Sequence, residues 1–198
     1  MSSRTLRLAV IIGSVREGRF GPTVASWFAG EARKHGGFEV DVIDLADYTV
    51  PVPLPAVPLL MEPNPERHES MGDLTRRVAA ADAVVIVTPD INRSYPASLK
   101  SAIDWHWDEW DRKVVGFVGY SGKSGGMFAI EHLRQIFAEM NAHAVRDYVS
   151  LPKYYQLFGA DGTLLEPADF EYAAKSMLDQ MHWWARAVAG ARELSASA

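Results

Sequence analysis

The chain has 198 residues, 48% of them hydrophobic, with a formal net charge of −5 and a pI of about 5.7. This suits one domain with a substantial core and favours neither nucleic acid nor an anionic membrane surface as a partner. Cysteine is absent, which excludes disulfides, thiolate catalysis and cysteine-ligated metals.

The first residues carry only a short apolar run, followed by charged Arg16 and Glu17, so no signal peptide is expected. No apolar stretch approaches the roughly 20 residues of a membrane span. A soluble, cytoplasmic protein is the expectation.

Residues 6–13 form a continuous apolar run with β-branched side chains, ended by glycine, as in a strand buried on both faces. Residues 23–35 predict a helix with Val24, Trp27, Phe28 and Ala32 on one side. Residues 38–44 alternate and predict a strand nearer the sheet edge. Residues 50–65 are proline-rich and predict an irregular loop. Met71, Leu74, Val78 and Ala81 recur at helical spacing, and residues 83–88 predict a third strand. Residues 96–105 predict a helix with Pro96 in its first turn and Ser94 as its N-cap. Residues 113–120 predict a fourth strand. Met127, Ile130, Leu133, Phe137 and Met140 mark a further helix, and residues 142–151 predict a fifth strand. Phe170, Ala173, Met177, Met181, Trp184 and Val188 mark a long terminal helix. Residues 191–198 are small and polar and are expected to fray. With no repeat and no linker, residues 1–198 read as a single domain.

Strands alternating with helices mean right-handed βαβ units and a parallel sheet. Five strands with about five helices is the size of a flavodoxin-like three-layer α/β/α fold, strand order 2-1-3-4-5. In such sheets ligands bind beyond the carboxyl ends of the strands, at the switch point beside the first strand. The loops after strands one, three and four are therefore the candidate site.

The first of these, residues 13–22, has three glycines, two arginines and a serine, and it opens a helix. Ser14, Arg16 and Arg19 together with a helix N-terminus suit a phosphate. An ordinary βα turn with two solvated arginines explains the same residues. The loop lacks both the P-loop ending and the Gly-x-Gly-x-x-Gly pattern. The second loop, residues 89–95, is longer than a helix connection needs. An extended irregular loop offers free backbone N–H and C=O groups to the rim of a flat heteroaromatic. The third, residues 121–126, is again glycine-rich.

Four stretches in this order resemble the NADPH-dependent FMN reductase family. They are Gly13-Ser14-x-Arg16, Thr88-Pro89-Asp90-Ile91-Asn92-x-Ser94, the run from Pro96 through Lys100 to Asp104-Trp105, and the third loop. The resemblance covers roughly residues 6–150 and implies a flavodoxin-like reductase of flavins, quinones, azo compounds or chromate. It implies FMN as cofactor, with Ser14, Arg16, Arg19, Phe20 and Gly21 at its phosphate. Pro89, Asp90, Ile91, Asn92, Ser94 and Tyr95 are implied at the isoalloxazine edge, and Ser121, Gly122, Ser124 and Gly125 on its other side. NADPH or NADH is the implied co-substrate, and a small molecule the implied electron acceptor. The implied assembly is a homodimer or homotetramer, which the six tryptophans, three of them at 105, 107 and 110, also suggest. Where the family reads Pro-Glu-Tyr-Asn, this chain has Pro89-Asp90-Ile91-Asn92. Backbone contacts survive that change, but the aromatic surface and phenol at position 91 are lost, and Arg93 adds a charge. Arg19 and Arg93 are candidates for reading a 2′-phosphate, on charge and place alone.

Asp104, His106 and Asp108 suggest a metal by composition, yet on a helix His106 leaves the face shared by the two acids. No metal is expected. Asp90 and Tyr95 read equally well as proton donors and as loop hydrogen-bonding residues, so no catalytic side chain is assigned. Two other classes stay open: a flavodoxin-like electron carrier or redox sensor, and a flavin-free relative with altered pocket chemistry.

Overall fold

The computed structural model describes residues 4–62, 65–67 and 69–196. Six strands form one parallel sheet: β1 (Leu6–Ile12), β2 (Phe38–Asp44), β3 (Ala83–Pro89), β4 (Val114–Ser121), β5 (His143–Ala144) and β6 (Val149–Pro152). The order is β2-β1-β3-β4-β5, with β6 also pairing with β4. The helices are α1 (Gly21–His35), α2 (Glu69–Ala80), α3 (Ala97–Asp104), α4 (Met127–Glu139), α5 (Tyr154–Leu157) and α6 (Ala168–Ala196). A 3-10 turn, Leu45–Asp47, follows β2. No helix among the described residues is long and apolar enough to cross a membrane.

Alternation along the strands divides the core into two layers. Leu8, Val10 and Ile12 face Val24 and Phe28 of α1 and Met177 and Met181 of α6. Ala9 and Ile11 face Leu74 of α2, Ile103 of α3 and Phe137 of α4. The central strands β3 and β4 are apolar towards both layers, which is why they read as unbroken hydrophobic runs.

The expected fifth strand is two short ones. Val115 pairs with Ala144 and Val118 with Val149, so five steps on the edge strand span three on β4. The two extra residues bulge out at the sheet edge. Arg134 holds them there, its two Nη atoms donating to the carbonyls of Val145 (2.7 Å) and Arg146 (2.8 Å).

Ser94 is not the N-cap of α3. That place belongs to Pro96, with no side-chain capping bond, because Ser94 has both backbone groups bonded to Ile91. The helical backbone of α6 continues to Ala196, into the segment expected to fray, and Arg192 donates to the Asp111 and Arg112 carbonyls. Residues 197 and 198, like 63 and 64 of the proline-rich stretch, lie outside the described residues.

The tryptophan-rich segment packs inward. Trp105 and Trp110 are buried, and Trp110 lies edge-on to Phe137 at 5.3 Å. Its aromatic content therefore builds the core, and the support it lent to an oligomer falls away. His106 is buried too, with Nδ1 against the Ala102 carbonyl at 2.7 Å and Nε2 against the Thr75 hydroxyl at 2.9 Å. Asp104 pairs with Lys100 instead.

Candidate flavin site

The loops after β1, β3 and β4 meet in one cleft of about 370 Å³ at the carboxyl end of the sheet. Its lining includes Ser14, Arg16, Arg19 and Phe20 from the first loop and Pro89, Asp90, Ile91 and Asn92 from the second. Ser121 and Gly122 come from the third, with Tyr120 and Tyr154 completing the wall. The crevice lies where β1 is flanked by β2 and β3, the point at which chain direction across the sheet reverses.

The first loop is anchored at both ends. The Gly13 N–H donates to the Val87 carbonyl at 2.9 Å, and Ser98 Oγ donates to the Gly13 carbonyl at 2.7 Å. Ser14 is buried, its Oγ accepting from the Arg16 N–H at 3.4 Å. Arg19 reaches Asp44 at the end of β2, at 2.6 Å, while its Nε is buried without a hydrogen-bond partner. The N-cap of α1 is Phe20, so no side chain caps the first turn of that helix. Arg16 has no ion-pair or hydrogen-bond partner for its guanidinium among the described residues.

Gly21 belongs to the packing beneath the cleft and is not part of its wall. A Cβ there would lie 2.7 Å from Ile12 Cγ2 and 3.1 Å from the Tyr120 hydroxyl, so glycine lets α1 settle on β1 and β4. Burial and the nearby Tyr154 phenol push the Tyr120 hydroxyl above its ordinary pKa, and Arg16 and Arg19 pull the other way. The net shift is upward, which keeps it a neutral donor. Tyr154 stands 4.9 Å from Phe20 and 5.2 Å from Tyr120, ring to ring.

The second loop explains its own length. The Ile91 N–H donates to the Ser94 carbonyl (2.7 Å) and the Ser94 N–H to the Ile91 carbonyl (3.0 Å). Asn92 (φ 50°) and Arg93 (φ 68°) both take left-handed backbone. That is a two-residue hairpin with the turn geometry preferred for such loops. It puts Ile91 and Asn92 on the cleft and leaves Ser94 and Tyr95 behind it. Ser94 Oγ meets His132 Nδ1 at 3.0 Å, and Tyr95 packs on the second core layer.

The carboxylate of Asp90 accepts from Ser124 Oγ and from the Ala129 N–H (2.8 Å). It thereby caps α4 from outside and ties the second loop to the third. Ser124 and Gly125 do not reach the lining. Ser124 bridges Ser121 and Asp90, and the Gly125 carbonyl accepts from Leu151 N–H and Ser150 Oγ. Gly126, at φ 91°, lies so close to Gly119 that a Cβ would fall 2.3 Å from the Gly119 Cα.

Two lining residues escaped the sequence reading. Tyr120 had a signal, being the aromatic at the carboxyl end of a strand that enters a glycine loop. Tyr154 had none. It arrives because Ser121 pairs with Pro152, which carries the following residues to the third loop.

The NADPH-dependent FMN reductase family matches residues 6–156. This chain belongs to that family. The family carries FMN and takes its electrons from NAD(P)H. Among its relatives, an NAD(P)H-dependent FMN reductase of Schizosaccharomyces pombe is 32% identical over 154 residues, 75% of each chain. A 2-hydroxy-1,4-benzoquinone reductase of a Burkholderia species is 31% identical over 143 residues, 69% of this chain and 72% of the other. In fold, the family member is similar to FerB, the flavoenzyme NAD(P)H:(acceptor) oxidoreductase of Paracoccus denitrificans, with a TM-score of 0.72. That likeness covers 91% of this chain and 97% of the other at 22% identity, and it speaks for the flavodoxin-like architecture alone.

Proposed function

We propose that this family member is an FMN-dependent NAD(P)H oxidoreductase whose electrons go to a small flat acceptor, such as a quinone, a free flavin or another small aromatic. The observation that carries the proposal is a cleft with unanswered donors at one end and backbone edges at the other. Among the described residues the buried Arg19 Nε and the Arg16 guanidinium lack an acceptor, and no side chain caps the first turn of α1. A phosphate supplies one to each, so the residues present suit FMN.

Under this proposal Ser14, Arg16 and Arg19 hold the phosphate, and Phe20, Tyr120 and Tyr154 wall off that end from water. Pro89, Asp90, Ile91 and Asn92 on one side and Ser121 and Gly122 on the other frame the ring. Bound FMN supplies the redox chemistry, accepting hydride from the nicotinamide and passing electrons on. The chain's own residues bind and orient. Asp90 is engaged in capping α4, and Tyr120 stays neutral, so neither is assigned a proton-transfer role. If donor and acceptor used the same side of bound FMN in turn, the order of reaction would be ping-pong.

The proposal extends to one FMN-binding domain over the whole chain, working in the cytoplasm as a homodimer or homotetramer. Absence of cysteine supports the compartment. Trp183, 64% exposed, and Tyr172, 75% exposed, support the assembly, since aromatics are enriched in interface cores. Sedimentation showing only a 21.9 kDa species at micromolar concentration would refute the assembly.

The deciding experiment is an absorption spectrum of the purified protein, then FMN titration of the apoprotein and steady-state NAD(P)H oxidation with a quinone. Saturable FMN binding with sustained turnover is expected. FMN binding without steady oxidation would point to an electron carrier, and a protein that refuses FMN would point to a flavin-free relative.

A further inference from the structure

We propose that Arg93 and Lys123 form a docking point for the phosphate groups of the reduced dinucleotide, at the rim of the flavin cleft. The proposal rests on the NAD(P)H-oxidoreductase function above. Arg93 occupies the second central position of the Ile91–Ser94 hairpin at φ 68°, where glycine is the unstrained choice. An arginine stands there against that backbone preference.

What holds that side chain is the ring of Phe128, whose centroid lies 3.9 Å below the guanidinium. Stacking uses the face of the guanidinium and leaves its N–H donors along the edge. Among the described residues none of those donors has a hydrogen bond, and no carboxylate lies within ion-pair distance. Several arginines elsewhere are already committed to protein partners. Arg19 is bound to Asp44, Arg77 to Asp41, and Arg134 to two carbonyls and Glu131.

The third loop also carries a cation, Lys123. It is exposed and, among the described residues, has no ion pair. Each cation stands one residue beyond a cleft-lining one, Arg93 after Asn92 and Lys123 after Gly122. The two loops are joined through the bond from Ser124 to Asp90. The acids nearest them in sequence do not neutralise them. Asp90 is engaged with Ser124 and Ala129, and Glu131 with Arg134. Two cations without a carboxylate partner among the described residues, each next in sequence to a residue that lines the cleft, favour an anion beside it in a chain of net charge −5. A dinucleotide whose nicotinamide reaches the flavin must carry its phosphates across that rim. Pyrophosphate and adenosine 2′-phosphate are two sources of the same chemistry.

The test uses FMN-loaded protein and the double variant Arg93→Gly with Lys123→Ala. Glycine suits the turn, so the hairpin is retained. Calorimetry reads the affinity of ADP and of 2′,5′-ADP, and steady-state kinetics reads kcat/KM for NADH and NADPH. At least a tenfold loss is expected. A loss shared by ADP and both dinucleotides assigns the rim to the pyrophosphate. A loss confined to 2′,5′-ADP and NADPH assigns it to the 2′-phosphate. Unchanged affinities and kcat/KM values overturn the proposal. If FMN-loaded wild-type protein oxidises neither dinucleotide, the functional assignment fails instead, and calorimetry still decides the rim.

Discussion

At the amino ends of the strands, Asp82 accepts from Arg4 at 2.8 and 2.5 Å and from the Arg7 N–H at 2.9 Å, and Lys113 donates to the Ala79 and Ala81 carbonyls. At the carboxyl ends, Arg16, the Arg19 Nε and the first turn of α1 have no side-chain acceptor or cap among the described residues. The same sheet thus saturates its polar groups on one side and leaves them open on the other. Burial pushes the Asp82 carboxyl up, yet the Arg4 and Arg7 bonds outweigh it and hold it below the usual range. Burial, with Arg192 adding to it, pulls Lys113 down to about 8. The closed end is built for stability, and the open end keeps its donors for a ligand. Substitutions of polar side chains at the two ends should therefore fail in different ways.

The largest effect is expected where the open end depends on close backbone approach. A Cβ on Gly126 would meet the Gly119 Cα at 2.3 Å, on a residue whose φ of 91° already disfavours a side chain. Gly126→Ala should destabilise by more than about 4 kcal/mol, the range of severe core disruption. Urea unfolding measures it, and a change below about 1 kcal/mol would mean that the third loop is not packed on β4 as described.

Next comes the closed end. Lys113→Met strands two carbonyls and should cost about 3 kcal/mol by urea unfolding. FMN affinity should stay as in wild type, because Lys113 lies at the amino ends of the strands, opposite the cleft. A pH dependence accompanies it. Lys113 sits at about 8 in the fold, against about 10.4 in an unfolded chain. Between those values the unfolded chain holds more protons, so the residue's contribution to stability rises with pH. The stability difference between wild type and Lys113→Met should grow from pH ~7.5 to pH ~9.5. A flat difference rejects the assignment.

Arg16→Ala tests the open end with the opposite signature. FMN binding should weaken by about 1.5–3 kcal/mol, the scale of a charged hydrogen bond. Apoprotein stability should stay within about 0.5 kcal/mol, since no protein partner is lost. Equal FMN affinity in apo titrations of mutant and wild type would remove Arg16 from the phosphate site.

Ile91→Tyr should matter least to the cofactor. The side chain lines the cleft, while the backbone of Ile91 is held by the hairpin. FMN affinity should stay within about tenfold, or ~1.4 kcal/mol, while the ranking of quinone, flavin and bulkier aromatic acceptors changes. A hundredfold change in FMN affinity with an unaltered ranking would show that position 91 governs the cofactor.

Much of this protein is written in local patterns. Burial on both faces makes residues 83–87 an unbroken apolar run, and the partial exposure of an edge strand lets polar residues alternate with apolar ones over 38–44. The glycines, serines and arginines of the first loop announce a βα turn suited to an anion, since backbone freedom and charge are properties of residues taken singly. The order of these stretches was enough to point to the family and to the end of the sheet where its cleft lies.

What the sequence left open depended on partners far away in the chain. Asp90 reads as a proton donor or a loop residue until its partners Ser124 and Ala129 are seen, 34 and 39 positions on. The tryptophans at 105 and 110 read as core or as subunit contact until Phe137 and the Pro51 carbonyl are brought against them. Tyr154 has no local mark at all, because only the pairing of β6 with β4 carries it to the cleft. By itself, then, the sequence determined the elements, their order and the chemical character of each loop, since these follow from periodicity and residue type. Only the tertiary structure decided which loop residues face the cleft and which bind one another, because a side chain's role depends on what the rest of the fold places beside it.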